Sequence, residues 1–111
     1  MIYLANAFSV TMLRYPHVGV RHRLTVERIS AREAGAILRG NEFVSVFGHP
    51  ETAGFLGKYL HVYVPCSRDS IQLGPEDVVI VARAAMTREY REQRRKVPKW
   101  TFFRVKMCEK V

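Results

Sequence analysis

The chain has 111 residues, 48% of them hydrophobic, and carries 18 Lys and Arg against 10 Asp and Glu, a formal charge of +8. A chain of this length is expected to form one domain over residues 1–111, with a core of its own and no room within it for a separate regulatory domain. The charge favours an anionic partner such as nucleic acid, a nucleotide or a membrane surface. No apolar run reaches membrane-spanning length, and residues 1–6 lack the basic segment of a signal peptide, so a soluble cytoplasmic protein without a membrane partner is expected. Cys66 and Cys108 show neither Cys-x-x-Cys spacing nor a flanking His at zinc-finger distance, which argues against a disulfide framework and a structural metal.

In chain order, Ile2 to Ala5 reads as a short buried strand ending at Asn6. Asn6 and Ser9 precede Val10-Thr11-Met12-Leu13, where their side chains can either cap a brief helix or contact a ligand at the strand's C-terminal end. After Pro16 and Gly19, a period-2 pattern from Val20 to Ile29 predicts a second strand, with His17 and His22 at its surface or edge. Ser30-Ala31-Arg32-Glu33 has the spacing of a capping box, and Ala34, Ile37 and Leu38 form the apolar stripe of a helix that Gly40 stops.

The run from Glu42 to Gly48 alternates apolar and small residues, and Phe55, Leu56, Tyr59 and Leu60 follow Pro50 at helical spacing, so this stretch reads as strand, tight turn and helix. His49 sits in the turn, where Pro50 starts the helix, free N–H groups and the positive end of the dipole favour a phosphate, and Gly48 allows close approach of backbone to a ligand. An imidazole there can give or take a proton near neutral pH. By itself such a turn is most often a simple cap. Gly54 and Gly57 suggest close packing in the helix that runs to Leu60.

His61 to Val64 reads as a returning strand, Ile71 and Leu73 as a short edge strand, and Gly74 to Asp77 as a turn. Val78 to Val81 is a continuous β-branched run of the kind buried on both faces, so residues 77–84 predict the central strand, with Arg83 at its C-terminal end. Residues 87–96 hold five basic side chains and no apolar stripe, which describes a solvated loop or frayed helix; Trp100 to Lys106 is a final strand, with Trp100 at the core or its rim. The fold class is therefore α/β, a single-domain mixed β-sheet flanked by two main helices. Asn6, His49 and Arg83 each end a predicted strand, so three segments can converge on one pocket outside the carboxyl ends of the sheet.

Tyr3-Leu4-Ala5-Asn6-Ala7-Phe8-Ser9, Met12-Leu13, Ser45-Val46-Phe47-Gly48-His49 and the hydrophobic strand ending in Arg83 together resemble the viral anti-CRISPR ring nucleases and their bacterial relatives, which degrade cyclic tetra-adenylate. The resemblance implies a homodimer enclosing the ring messenger of type III CRISPR defence and cutting it without a metal or other cofactor. A ribose 2′-hydroxyl would attack the adjacent phosphorus while His49 protonates the departing 5′-oxygen, leaving linear di-adenylate with a 2′,3′-cyclic phosphate. Arg83 matches the family's phosphate-holding arginine, and Asn6 and Ser9 match polar residues lining the ring. Arg68 matches an arginine that follows an asparagine in the relatives, a place held here by Ser67. Val79 and Ala82 stand where relatives carry glutamine-type residues, and Ala85 or Met86 where they carry a glutamate, for which Glu89 could substitute.

Two other readings stand beside this one: a non-catalytic sponge for cyclic oligoadenylate, and a basic module binding linear RNA or DNA through Arg88 to Lys96, Lys99, Trp100 and Arg104. A metal-dependent nuclease is disfavoured, because Asp69, Glu76 and Asp77 are turn residues without a carboxylate cluster.

Overall fold

The computed structural model describes residues 1–14, 18–85 and 99–107. The expectations placed on His17, Glu89, the basic segment 87–96 and Cys108 fall outside them. Five strands, β1 (Ile2–Ala5), β2 (Leu24–Ile29), β3 (Phe43–Ser45), β4 (Val78–Ala85) and β5 (Lys99–Met107), form one mixed sheet in the order β2-β5-β4-β1-β3. β3, β1 and β4 run parallel, and β5 is antiparallel to both β4 and β2. The β-branched run is central, as expected: Val79 and Ile80 are wholly buried although they point to opposite faces.

Both helices, α1 (Ala31–Gly40) and α2 (Pro50–Leu60), pack on one face of this sheet. Ala34 and Leu38 of α1 and Ala53, Leu56 and Leu60 of α2 close on Leu4, Ile80, Ala82 and Phe102. Burying a leucine side chain there stabilises the fold by roughly 1.5–3 kcal/mol. The other face is covered by chain without regular strands: Phe8, Met12, Ile71 and Leu73 pack on Ala5, Val79, Val81 and Val105. A single 3-10 turn (Val10–Met12) and the segment around Leu73 are joined there by backbone hydrogen bonds, Leu73 N–H to Met12 at 2.6 Å and Arg14 N–H to Leu73 at 3.1 Å.

α1 starts as its sequence dictates, with Ser30 Oγ accepting from the Glu33 N–H at 3.0 Å. The Glu33 carboxylate, expected to close the box on Ser30, instead lies 3.4 Å from Arg104 on β5, which also pairs with Glu27 of β2. At 30–56% side-chain exposure these pairs are screened and worth at most about 1 kcal/mol each.

Several expectations need correction. β2 begins at Leu24 rather than Val20, leaving His22 ahead of the strand, half-buried and with its Nε2 enclosed. β3 stops at Ser45, and beyond it only Phe47 makes a bridge, to Cys66. His61 to Val64 is not a strand: His61 takes the left-handed conformation (φ 56°, ψ 46°), and the Val62 N–H bonds back to Gly57 at 3.0 Å to end α2. Val64 is buried by packing on the helix-side core. Ile71 and Leu73 are likewise core residues, not an edge strand; the sheet's edges are β2 and β3. Of the two α2 glycines, Gly57 fits the close-packing expectation, since a Cβ there would lie 2.7 Å from the Val62 carbonyl, whereas Gly54 faces open space. Among the described residues no helix is long and apolar enough to cross a membrane.

Candidate functional site

β1, β3 and β4 run parallel, so their carboxyl ends meet at one edge of the sheet, where ligands of such sheets bind. There Asn6, Gly48, His49 and Arg83 line one cleft of about 160 Å³, contributed by the end of β1, the turn after β3 and the last part of β4. Phe47 and Trp100 form its apolar wall, their rings tilted at 58° with centroids 6.5 Å apart. A broader hollow of about 410 Å³ beside Gly57, Lys58, His61 and Tyr63 is lined by α2 and the residues that directly follow it.

His49 is the N-cap of α2, with backbone in the extended region (φ −116°, ψ 116°), and its carbonyl accepts from Ala53 N–H at 3.0 Å. Its side chain makes no capping hydrogen bond and is exposed. The turn thus caps α2 through the backbone alone, and the imidazole lines the cleft. Pro50 occupies the first helical turn, where the unpaired N–H groups and the helix dipole add positive potential.

Arg68 reaches the same turn from the polar loop after Pro65. Its Nε donates to the Gly48 carbonyl at 3.2 Å. A Cβ on residue 48 would stand 3.3 Å from Arg68 Cγ, a tight contact to which the arginine side chain would have to yield by a few tenths of an ångström. The loop is held in place by the Ser67 N–H, which donates to the Phe47 carbonyl at 2.8 Å.

Arg83 is exposed and pairs in register with Thr101, two residues before β4 ends. Alternation along β4 sets Ile80 and Ala82 toward the helices and Val79 and Val81 toward the opposite face, so Arg83 belongs to the side away from α2 and joins the cleft at the sheet edge. Ser9 Oγ accepts from Thr11 N–H at 3.3 Å and lies 2.9 Å from Thr11 Oγ1, so it serves as the cap of the 3-10 turn. Val79 and Ala82 are fully buried, Ala82 at the base of the cleft.

Thr52 also lines the cleft and was not singled out as functional from sequence, whereas Trp100 entered there only through the linear nucleic-acid reading. Thr52 stands three residues after His49, a spacing that puts it over the same helix terminus and was the available signal. Trp100 is half-buried at the rim of the helix-side core, and its indole N–H is enclosed with no acceptor among the described residues. Among the described residues no three His, Cys, Asp or Glu side chains gather as a metal site would need.

Residues 2–94 match the STIV B116-like family. The chain belongs to that family. An uncharacterized protein, ORF117 of Acidianus two-tailed virus, is 33% identical over 82 residues, which make up 72% of this chain and 66% of that protein. B116 of Sulfolobus turreted icosahedral virus is 16% identical and superposes with a TM-score of 0.69, covering 95% of this chain and 97% of the other. At that identity the likeness carries the fold: the B116-like architecture and the α/β sheet described above agree over nearly the whole chain.

Proposed function

We propose that this B116-like protein is a metal-independent ring nuclease that cuts cyclic tetra-adenylate in the cytoplasm of the cell where type III CRISPR defence makes it. The observation that carries this reading is the His49 imidazole, free of any capping bond, in one cleft with Asn6 and Arg83. A phosphodiester in the cleft meets the positive end of α2, and Arg83, which joins the cleft from the other face of the sheet, reaches it with a guanidinium, a planar donor suited to phosphate oxygens. A ribose 2′-oxygen attacks the adjacent phosphorus and its proton passes to solvent, while the P–O5′ bond breaks and the departing 5′-oxygen takes a proton from the imidazolium of His49. The product carries a 2′,3′-cyclic phosphate, and no water is consumed. Two such cuts turn one ring into two linear di-adenylates, which a homodimer with one His49 per subunit would accomplish across a shared ligand. A positioned acid accounts for roughly 10²–10⁴ of the rate.

The test is incubation of the protein and of His49→Ala with labelled cyclic tetra-adenylate in EDTA, following binding and product separately. Cleavage lost with binding kept establishes His49 as the acid, because the proton transfer acts in the transition state. Binding lost along with cleavage assigns His49 to structure, binding without any product assigns the protein as a sponge, and neither binding nor product directs attention to linear RNA or DNA.

A further inference from the structure

A donor in the cleft has no part in the reaction above: the indole N–H of Trp100. Trp100 stands on β5 in register with Ala84 of β4, and alternation along the two strands sets it on the same face as Ala82 and Phe102, the face on which α2 packs. Arg83 and its partner Thr101 belong to the other face. Of the side chains that β4 and β5 bring to this cleft, Trp100 is therefore the polar one on the side of α2, since Ala82 and Ala84 carry no polar atom beyond the backbone.

The surroundings of the indole hold it on one side and leave it room on the other. Its aromatic contact is with buried Phe47, the centroid separation and tilt being those of an edge-to-face pair. Ala84 opposite and Ala82 on the diagonal end at Cβ, so no large side chain of β4 locks the ring. Trp100 is half-buried, yet its Nε1 is enclosed with no acceptor among the described residues. An enclosed donor left unpaired is unfavourable, and an incoming acceptor removes that penalty. An indole N–H only donates, and the non-bridging oxygens of a phosphodiester only accept, so the two are matched.

We propose that Trp100 is a phosphate-binding residue of this cleft: its indole tilts against Phe47 and donates the Nε1 proton to a non-bridging oxygen of a phosphodiester at the N-terminus of α2. The assignment rests on the reading of the cleft as a phosphodiester site. It supplies a neutral donor from the helix side of the sheet, with Arg83 reaching the same group from the other face, and two donors from different directions fix the orientation of the phosphorus for in-line attack.

The chain has a single tryptophan, so one indole N–H resonance reports on this atom alone. It is followed by NMR in the His49→Ala protein, which binds without cutting, as inorganic phosphate, cyclic tetra-adenylate or adenosine is added. Phosphate and the ring are expected to move the resonance downfield saturably, and adenosine, which has no phosphate, to leave it in place. Adding Trp100→Phe keeps an aromatic ring against Phe47 but removes the donor; the Kd of the ring by calorimetry should rise about 10-fold, with the melting temperature lowered by no more than about 4 °C. A resonance silent to both phosphate and the ring, one that moves equally with adenosine, or an unchanged Kd in Trp100→Phe would overturn the assignment, even if the native protein cuts the ring. A resonance that answers to phosphate in a protein that cuts no ring would instead sink the nuclease reading and leave Trp100 as a phosphate-binding residue.

Discussion

Replacing His49 by Asn should raise stability and abolish cleavage, two effects of opposite sign from one side chain. The histidine occupies an N-cap whose backbone is already extended, yet it gives no hydrogen bond to the first turn of α2. Asn at that position accepts from an unpaired N–H of the turn, a gain of about 1 kcal/mol. For a domain of this size that raises the melting temperature by about 4 °C. The same substitution removes the proposed proton donor, and a loss of about 10²–10⁴ in rate corresponds to roughly 3–5 kcal/mol of transition-state stabilisation. Thermal melts by circular dichroism and single-turnover cleavage of cyclic tetra-adenylate measure the two effects on the same preparation. A lower melting temperature accompanied by weaker cleavage would show that His49 supports the turn, and retained cleavage would show that it is not the acid; either result refutes the argument.

Arg83→Lys should leave the melting temperature within about 1 °C, since the side chain is exposed, but should not restore the cleavage lost in Arg83→Ala, because an ammonium cannot reproduce the planar fork; equal rates for Lys and Arg would contradict this. Gly48→Ala pushes against Arg68 Cγ and displaces a hydrogen bond of a charged donor, so ring affinity measured by calorimetry should fall about 10-fold with folding intact. Gly57→Ala meets backbone rather than a flexible side chain, and chemical denaturation should register a loss of about 1–3 kcal/mol. His61→Gly relieves a left-handed residue at the end of α2 and should stabilise the protein by about 1 kcal/mol in the same assay.

The elements that could be read from sequence are those whose local signals agree with the packing. Val78 to Val81 is β-branched throughout and lies at the centre of the sheet; Ser30 caps α1 because the hydroxyl and the Glu33 N–H are neighbours in any helix starting there. His61 to Val64 misled because Val62 and Val64 alternate like a strand, while the decisive event, a histidine in a left-handed turn, has no sequence signature of its own. Ile71 and Leu73 misled for the reverse reason: they are buried by covering the sheet, not by joining it. The convergence of Asn6, His49 and Arg83 was legible because each lies close to the carboxyl end of a parallel strand, although β3 stops at Ser45 and β4 runs on to Ala85. The cover on the sheet's other face was not, since it is held by the backbone bonds between Met12, Arg14 and Leu73, contacts between segments roughly 60 residues apart that no local pattern encodes.

The position of β5 bears on how the chain emerges from the ribosome. It lies between β2 and β4, and it supplies the hydrogen-bonding partner of β2 along the whole of Leu24 to Ile29. β2 is therefore synthesised roughly 70 residues before the strand it pairs with, a wait of about 4–14 s at ordinary elongation rates. The parallel trio β3-β1-β4 precedes β5 in the chain, so the strands bearing His49 find their parallel partners among earlier segments, whereas β2 has no strand partner until β5 has been made.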